Sequence, residues 1–331
     1  MVQASMWSYE LTEPYKFSQV EAAAPAESDL LEDEVLLRVL VGGICGSDLP
    51  YFKGMISPLG TSSPTGRVRS PTGAPLHEVV GEVIASRCRS LEPGAVVVGW
   101  ATRMNAISEI IIVRGSDVHE FGPDLSPSVA IMLQPLACVI YAADGLTGIE
   151  GSIAAVIGQG PIGVLFSHVL KHRGAAKVIG IDRVDRSDLA KTFRVDQAVR
   201  SASDSWAALA VDEAERPDII VEAVGHQVST MVDATTALRI GGQIYYFGIP
   251  DDPIYPFPMR AFLRKNAKLI SGITRADARR DVLARAEAYV MAYPDIVQPY
   301  ISRTFKFKDV EEAFNVAIVP SPGRLKVTLE A

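Results

Sequence analysis

Cysteine is scarce in this sequence: Cys45, Cys88 and Cys138 are its three, odd in number and far apart in 331 residues. That excludes a disulfide-stapled scaffold and points to a reducing, cytoplasmic setting. The opening MVQASMWSYELTEPYKF lacks a basic stretch followed by an apolar one, so no secretory signal is expected there. Long hydrophobic runs are missing too. The most apolar stretches, 129–142 and 153–170, are broken by Gln134, Pro135, Gly158, Gly160, Pro161 and His168, and no membrane span is expected from them. No dense Lys/Arg cluster occurs and the net charge is −7, which argues against a nucleic-acid surface. What is present, 48% hydrophobic and 21% charged residues, describes a well-packed globular chain. It is too long for one ordinary core, so two domains are expected.

The chain changes character along its length. VLLRVLVGGIC (35–45), EVVGEVIAS (78–86) and SEIIIVRG (108–115) are β-branched, apolar runs that read as strands. A long segment dense in Ser, Thr, Gly and Pro, 55–76, separates the first two and reads as a loop. From residue 152 the pattern becomes strand, turn, helix, strand: SIAAVI, GQGPIG, VLFSHVLKHRG, AKVIGIDR. DIIVEAVG (218–225) and GGQIYYFGIP (241–250) continue it, and ARRDVLARAEAYVMAY (278–293) reads as an amphipathic helix. ISRTFKF and GRLKVTLEA return to strands. The expectation is a β-rich domain, 1–125 with 294–331, interrupted by an α/β domain, 126–293, built on a parallel sheet covered on both faces.

Gly158, Gly160 and Gly163 form G-Q-G-P-I-G, with Pro161 and Ile162 between, directly after an apolar strand and before a helix. A dinucleotide needs glycine at the tight turn, at the approach to the pyrophosphate and at the helix–strand contact. The pyrophosphate then meets the helix N-terminus. Asp182 ends the second strand, 19 residues after Gly163, where an acid binds the adenine-ribose hydroxyls. A carboxylate there repels a 2′-phosphate, so NAD is preferred over NADP, although the adjacent Arg183 is a cation that a 2′-phosphate would use.

Cys45 lies in GGICGSDL, among glycines and beside Ser47 and Asp48. His77 and Glu78 open the strand PLHEVVGEV, and Gln134 and Cys138 lie in LQPLACV. A thiolate, an imidazole and an oxygen donor make an open zinc site. The residues alone leave two readings: such a site, or a packed thiol and a satisfied core histidine.

The order GGICGSDL, HEVVGEV, QPLACV, VIGQGPIGV, VIGIDR, VEAVG, GRLKVTL resembles, over essentially the whole chain, the zinc-dependent alcohol and polyol dehydrogenases of the medium-chain dehydrogenase/reductase superfamily. The resemblance implies a GroES-like β-rich catalytic domain, a Rossmann domain with a doubly wound parallel sheet, and an active site in the cleft between them. It implies one catalytic zinc on Cys45 and His77. Glu78 matches a glutamate that ligates in some branches and sits behind the metal in others, and Gln134 stands where relatives place a last glutamate ligand. Cys138 matches a cysteine that is not a ligand. Ser47 keeps the first hydroxyl of the proton relay, while Pro50 replaces its terminal histidine and Leu76 replaces the glycine before His77. With only Cys138 after Cys88, the lobe that carries a structural zinc is absent. Gly225, Gly248, Ile249, Gly272 and Ile273 fall at strand ends where family members contact ribose and nicotinamide.

The expected activity is reversible oxidation of a secondary alcohol (polyol, cyclitol or sugar-like) to its ketone, by a homodimer or homotetramer. The alternatives are a zinc-free NADPH-dependent alkene or quinone reductase of the same superfamily and a non-catalytic nucleotide-binding relative. Arg67 and Arg69, in the 55–76 loop, are candidates for recognising an anionic substrate group against a solvated loop.

Overall fold

The computed structural model describes residues 4–55, 71–209, 212–250 and 252–331. Arg67, Arg69 and most of the 55–76 loop lie outside the described residues. The described chain forms two compact units, Met1–Ala137 with Arg275–Val319 and Lys326–Ala331, and Cys138–Thr274 with Pro320–Leu325.

In the first unit, β1 (Ser5–Glu13) and β2 (Lys16–Ala23) pair as an antiparallel hairpin. β3 (Glu34–Ile44), β4 (Glu78–Ser86), β5 (Val96–Trp100), β6 (Ile110–Arg114) and β7 (Val118–Glu120) follow. β3 is apolar almost throughout because it is a central strand, flanked by β4 and paired with β6 along its first half. Its Val35, Leu37 and Val39 join Val79, Val83 and Val97 in a core closed by the rings of Phe17, Phe52 and Phe314.

The second unit holds β8 (Ile153–Ile157), β9 (Lys177–Asp182), β10 (Gln197–Arg200), β11 (Ile219–Glu222), β12 (Gln243–Tyr246) and β13 (Lys268–Ser271). All pairs are parallel, in the order β10-β9-β8-β11-β12-β13. The order reverses direction between β8 and β11, which opens a ligand crevice beyond the carboxyl ends of those strands. The strands end level: Ile157 is opposite Ile181 and Glu222, Glu222 opposite Tyr246, and Tyr246 opposite Ser271.

The chain then returns to the first unit, where β14 (Ile301–Lys306) and β15 (Lys326–Glu330) extend its sheet to β14-β15-β3-β4-β5-β7. Contacts draw the second unit more tightly than the 126–293 expected from sequence. The helix Arg279–Ala292 is tied to β7 and the turn before it by His119–Glu287 and Asp117–Arg279, each at 2.8 Å. Arg186 draws residues 320–325 into the second unit by donating to the carbonyls of Ser321 (2.8 Å) and Arg324 (3.0 Å). The stretch Pro127–Asp144 is long and apolar enough to cross a membrane, but 67% of it is buried inside the protein, as a core helix is.

Candidate active site

The glycines of GGICGSD make room for the acid opposite them. Gly43 pairs across the sheet with Glu78, and a Cβ on Gly43 would collide with the Glu78 carboxylate and come within 3.1 Å of Ile131. Leu76, the departure before His77, is fully buried over Gly42. Backbone bonds from Leu76 N–H to the Met104 carbonyl and from Ala101 N–H to the His77 carbonyl hold this stretch beside the 101–106 turn.

Cys45 follows the last residue of β3, His77 precedes β4 and Glu78 begins it, so the pairing of the two strands brings the three together. The Cys45 sulfur, a His77 ring nitrogen and a Glu78 oxygen all lie within 4.8 Å of one another. A soft thiolate, an imidazole and a carboxylate this close suit a single zinc ion. Gln134 is buried in the first turn of the helix Leu133–Asp144, three residues after the Ile131 that covers Gly43. Ser47 is half-buried in the short helical turn Gly46–Asp48, and Pro50 is buried in the next turn.

Two residues that the sequence reading left without a role complete the cluster. Asp48 is fully buried; one oxygen accepts the Cys45 N–H at 2.9 Å and the other meets His77 Nδ1 at 2.8 Å. With Nδ1 engaged, Nε2 is left for a metal, the carboxylate–histidine arrangement that fixes ring orientation. Burial alone would lower the His77 pKa, but the Asp48 carboxylate and its hydrogen bond, with help from Cys45, hold it well above the ordinary value of 6.5. The signal for Asp48 was present: an acid three residues after Cys45 caps the turn by bonding back to its N–H. Lys326 is the other. Its Nζ, 1% exposed, donates to both Glu78 oxygens at 2.8 Å and to the Ile44 carbonyl at 3.1 Å. Burial opposes that charge, yet Glu78 outweighs it and keeps the ammonium above the usual lysine range. A metal would share Glu78 with this cation.

In the second unit, the level strand ends bring Gly158, Asp182, Gly225, Gly248, Ile249, Gly272 and Ile273 to one edge of the sheet. A Cβ on Gly163 would overlap the Gly158 carbonyl, so the helix Pro161–His172 packs against the turn only with glycine there. A Cβ on Gly160 would meet nothing, which leaves open space at the helix N-terminus, between Gly158 and the half-buried Pro161 and Ile162. Asp182 accepts the Gln159 and Val184 N–H groups at 2.8 Å each, and Arg186 Nε lies 3.9 Å away. Arg183 is exposed. Gly225 has φ +77 and backbone packed against Gly248, so the turn itself demands glycine there. Ile249 and Ile273 are exposed apolar residues on this edge.

Known proteins resemble this chain in sequence and in fold. A family model described as "Alcohol dehydrogenase GroES-like domain" matches residues 31–116, and one described as "Zinc-binding dehydrogenase" matches residues 161–288. D-arabinitol dehydrogenase 1 of Uromyces fabae is 23% identical, covering 94% of this chain and 94% of its own. Galactitol-1-phosphate dehydrogenase of Escherichia coli superposes with a TM-score of 0.79 at 20% identity, over 98% of this chain and 100% of its own. A putative zinc-binding dehydrogenase of Sinorhizobium meliloti 1021 bound to NADP gives 0.79 at 20%, over 99% and 100%. The chain belongs to the zinc-type alcohol and polyol dehydrogenases of the medium-chain dehydrogenase/reductase superfamily, and it is an oxidoreductase of that type.

Proposed function

We propose that this protein is a zinc-dependent, NAD-linked dehydrogenase that interconverts a polyol, cyclitol or sugar-like secondary alcohol and its ketone. The observation that carries this is the convergence of Cys45, His77 and Glu78, with Asp48 orienting the imidazole. Cys45 and His77 would hold the ion, with Glu78 beside them shared with Lys326, and Gln134 would be a neutral oxygen donor. Bound zinc supplies a Lewis acid that makes an alcohol hydroxyl acidic at neutral pH. Ser47, two residues from Cys45, receives that proton. The hydride acceptor is the nicotinamide, its dinucleotide held by the Gly158–Gly163 turn. Gly225, Gly248, Ile249, Gly272 and Ile273 line the same edge.

The preference for NAD rests on Asp182, whose carboxylate is fixed by two backbone amides and so stays where it opposes a 2′-phosphate. The polyol leaning rests on the relatives, one of which is a D-arabinitol dehydrogenase. A single zinc per chain follows from cysteine count: Cys88 and Cys138 remain, and neither has a second cysteine near it in sequence. Three free thiols suit a cytoplasmic home. A homodimer or homotetramer would form through the edge strand β13, where Leu269 is exposed, as are Met259 and Leu263 of the helix that precedes it in the chain.

The test is metal content and turnover. Protein purified without chelator is expected to carry about one zinc per chain and to oxidise polyols faster with NAD than with NADP. Cys45→Ala is expected to lose the metal and at least about 100-fold in turnover while still binding NADH. Wild-type rates in that variant, or a metal-free protein that prefers NADPH and reduces alkenes, would overturn the reading.

A further inference from the structure

Glu222, the last residue of β11, is fully buried where the strand order reverses. Its side chain is answered by backbone. Oε1 accepts the N–H of Val224 and of Gly225 at 3.1 Å each, and Oε2 accepts Gly225 at 3.2 Å. Its own carbonyl takes the N–H groups of Phe247 at 2.9 Å and Gly248 at 3.2 Å, which ties the turn at Gly248 to the end of the strand. The segment held this way abuts two other turns. A Cβ on Gly158 would lie 2.8 Å from the Val224 side chain, and one on Gly248 would strike the Gly225 backbone and lie 2.8 Å from Glu222 Oε2. The hydroxyls of Tyr246 and Tyr255 close the arrangement on the Gly225 carbonyl at 3.2 Å each.

We propose that Glu222 is the positioning residue of the cofactor crevice, its buried carboxylate shaping the turns at Gly158, Val224–Gly225 and Gly248 so that dinucleotide affinity depends on an acceptor-only group at this point. The inference rests on the reading that these turns take a nicotinamide dinucleotide. The chemistry favours a carboxylate: a glutamine could keep the Val224 and Gly225 bonds with its amide oxygen, but its NH2 would then face the Gly225 N–H where Oε2 accepts. Protonation does the same with an O–H. Burial pushes the Glu222 carboxyl up, and the amide hydrogen bonds offset this only in part, so affinity falls as pH drops through that raised value. The other titratable groups on the packed segments are the phenols of Tyr245, Tyr246 and Tyr255, His226, which follows Gly225, and Asp233 of the helix Thr230–Ala237, whose carboxyl burial also pushes up while it accepts the Ser203 hydroxyl at 2.6 Å.

The test is a titration of NADH onto full-length protein by fluorescence from pH 5 to 8, for wild type, E222Q, E222D and H226N. E222Q is expected to bind at least about tenfold more weakly at neutral pH, with the acidic fall in affinity abolished. E222D is expected to retain the acidic fall, and H226N to leave it in place. E222Q binding within twofold of wild type with an unchanged pH profile would overturn the inference, as would disappearance of the acidic fall in H226N. Should E222Q not fold, the profiles of wild type, E222D and H226N decide alone. Wild type that binds neither NADH nor NADPH would overturn the nucleotide reading itself.

Discussion

Glu78 in the first unit and Glu222 in the second are both fully buried carboxylates at a strand end, and their charges are answered in opposite ways. Glu78 has a full countercharge, the Lys326 ammonium, supplied from 248 residues away. Glu222 has backbone dipoles, most of them from the next three residues. An ammonium neutralises its partner but says little about the shape of the backbone around it. A ring of amides leaves the charge in place and dictates that shape. The first device suits a cluster whose charge must be balanced beside a metal; the second suits a set of turns that must hold a fixed outline.

The comparison breaks most visibly at Lys326. Lys326→Met strands Glu78 without its cation, and a loss of about 3–5 kcal/mol in urea denaturation is expected. The double variant Glu78→Leu with Lys326→Met should recover most of that, because neither charge then remains. A single variant that costs under about 1 kcal/mol would mean that Lys326 is not what neutralises Glu78. A smaller effect is expected at the orienting acid. Asp48→Asn keeps a hydrogen-bonding oxygen but removes the charge behind His77, and zinc affinity measured by chelator competition should fall about 10- to 100-fold.

Smallest and most gradual is the pH dependence. The folded His77 pKa is raised, so in metal-free protein the Asp48–His77 pair contributes its full stability below pH 6.5 and loses it as pH rises through the raised value. A metal must displace that proton. Zinc affinity should therefore climb with pH, by up to about tenfold per unit from this group, and level off above the folded value. In Asp48→Asn the levelling should move to lower pH; an unmoved profile would detach His77 from the titration.

Much of this was legible in the sequence where the information is local. The strand Glu78–Ser86 was read to the residue, because a β-branched run between a loop and a polar break needs no partner to declare itself. The strand, glycine turn and helix around Gly158 were read for the same reason. The short edge strands Gln197–Arg200 and Lys268–Ser271 were not, since their residues are half polar and only their neighbours make them strands. Lys326 was the harder case. In GRLKVTLEA it looks like a solvent-facing strand residue, and its burial becomes visible only once β15 lies against β3, with Val327 opposite Ile44. Gln134 lies between: it was singled out as a candidate ligand, but a polar side chain on an apolar helix does not announce which wall it faces.

The position of Lys326 also sets an order of events during synthesis. Glu78 emerges early, while its cation arrives only after every residue of β8 to β13 has been made. A nascent chain therefore carries an unanswered carboxylate in a half-built sheet, whereas the parallel sheet of the second unit can close before the last strand is translated. Docking of that final strand delivers the β15–β3 ladder and the countercharge together. Removing the few residues from Lys326 onward should thus leave a ribosome-released chain with a folded nucleotide-binding unit and an open metal-binding one.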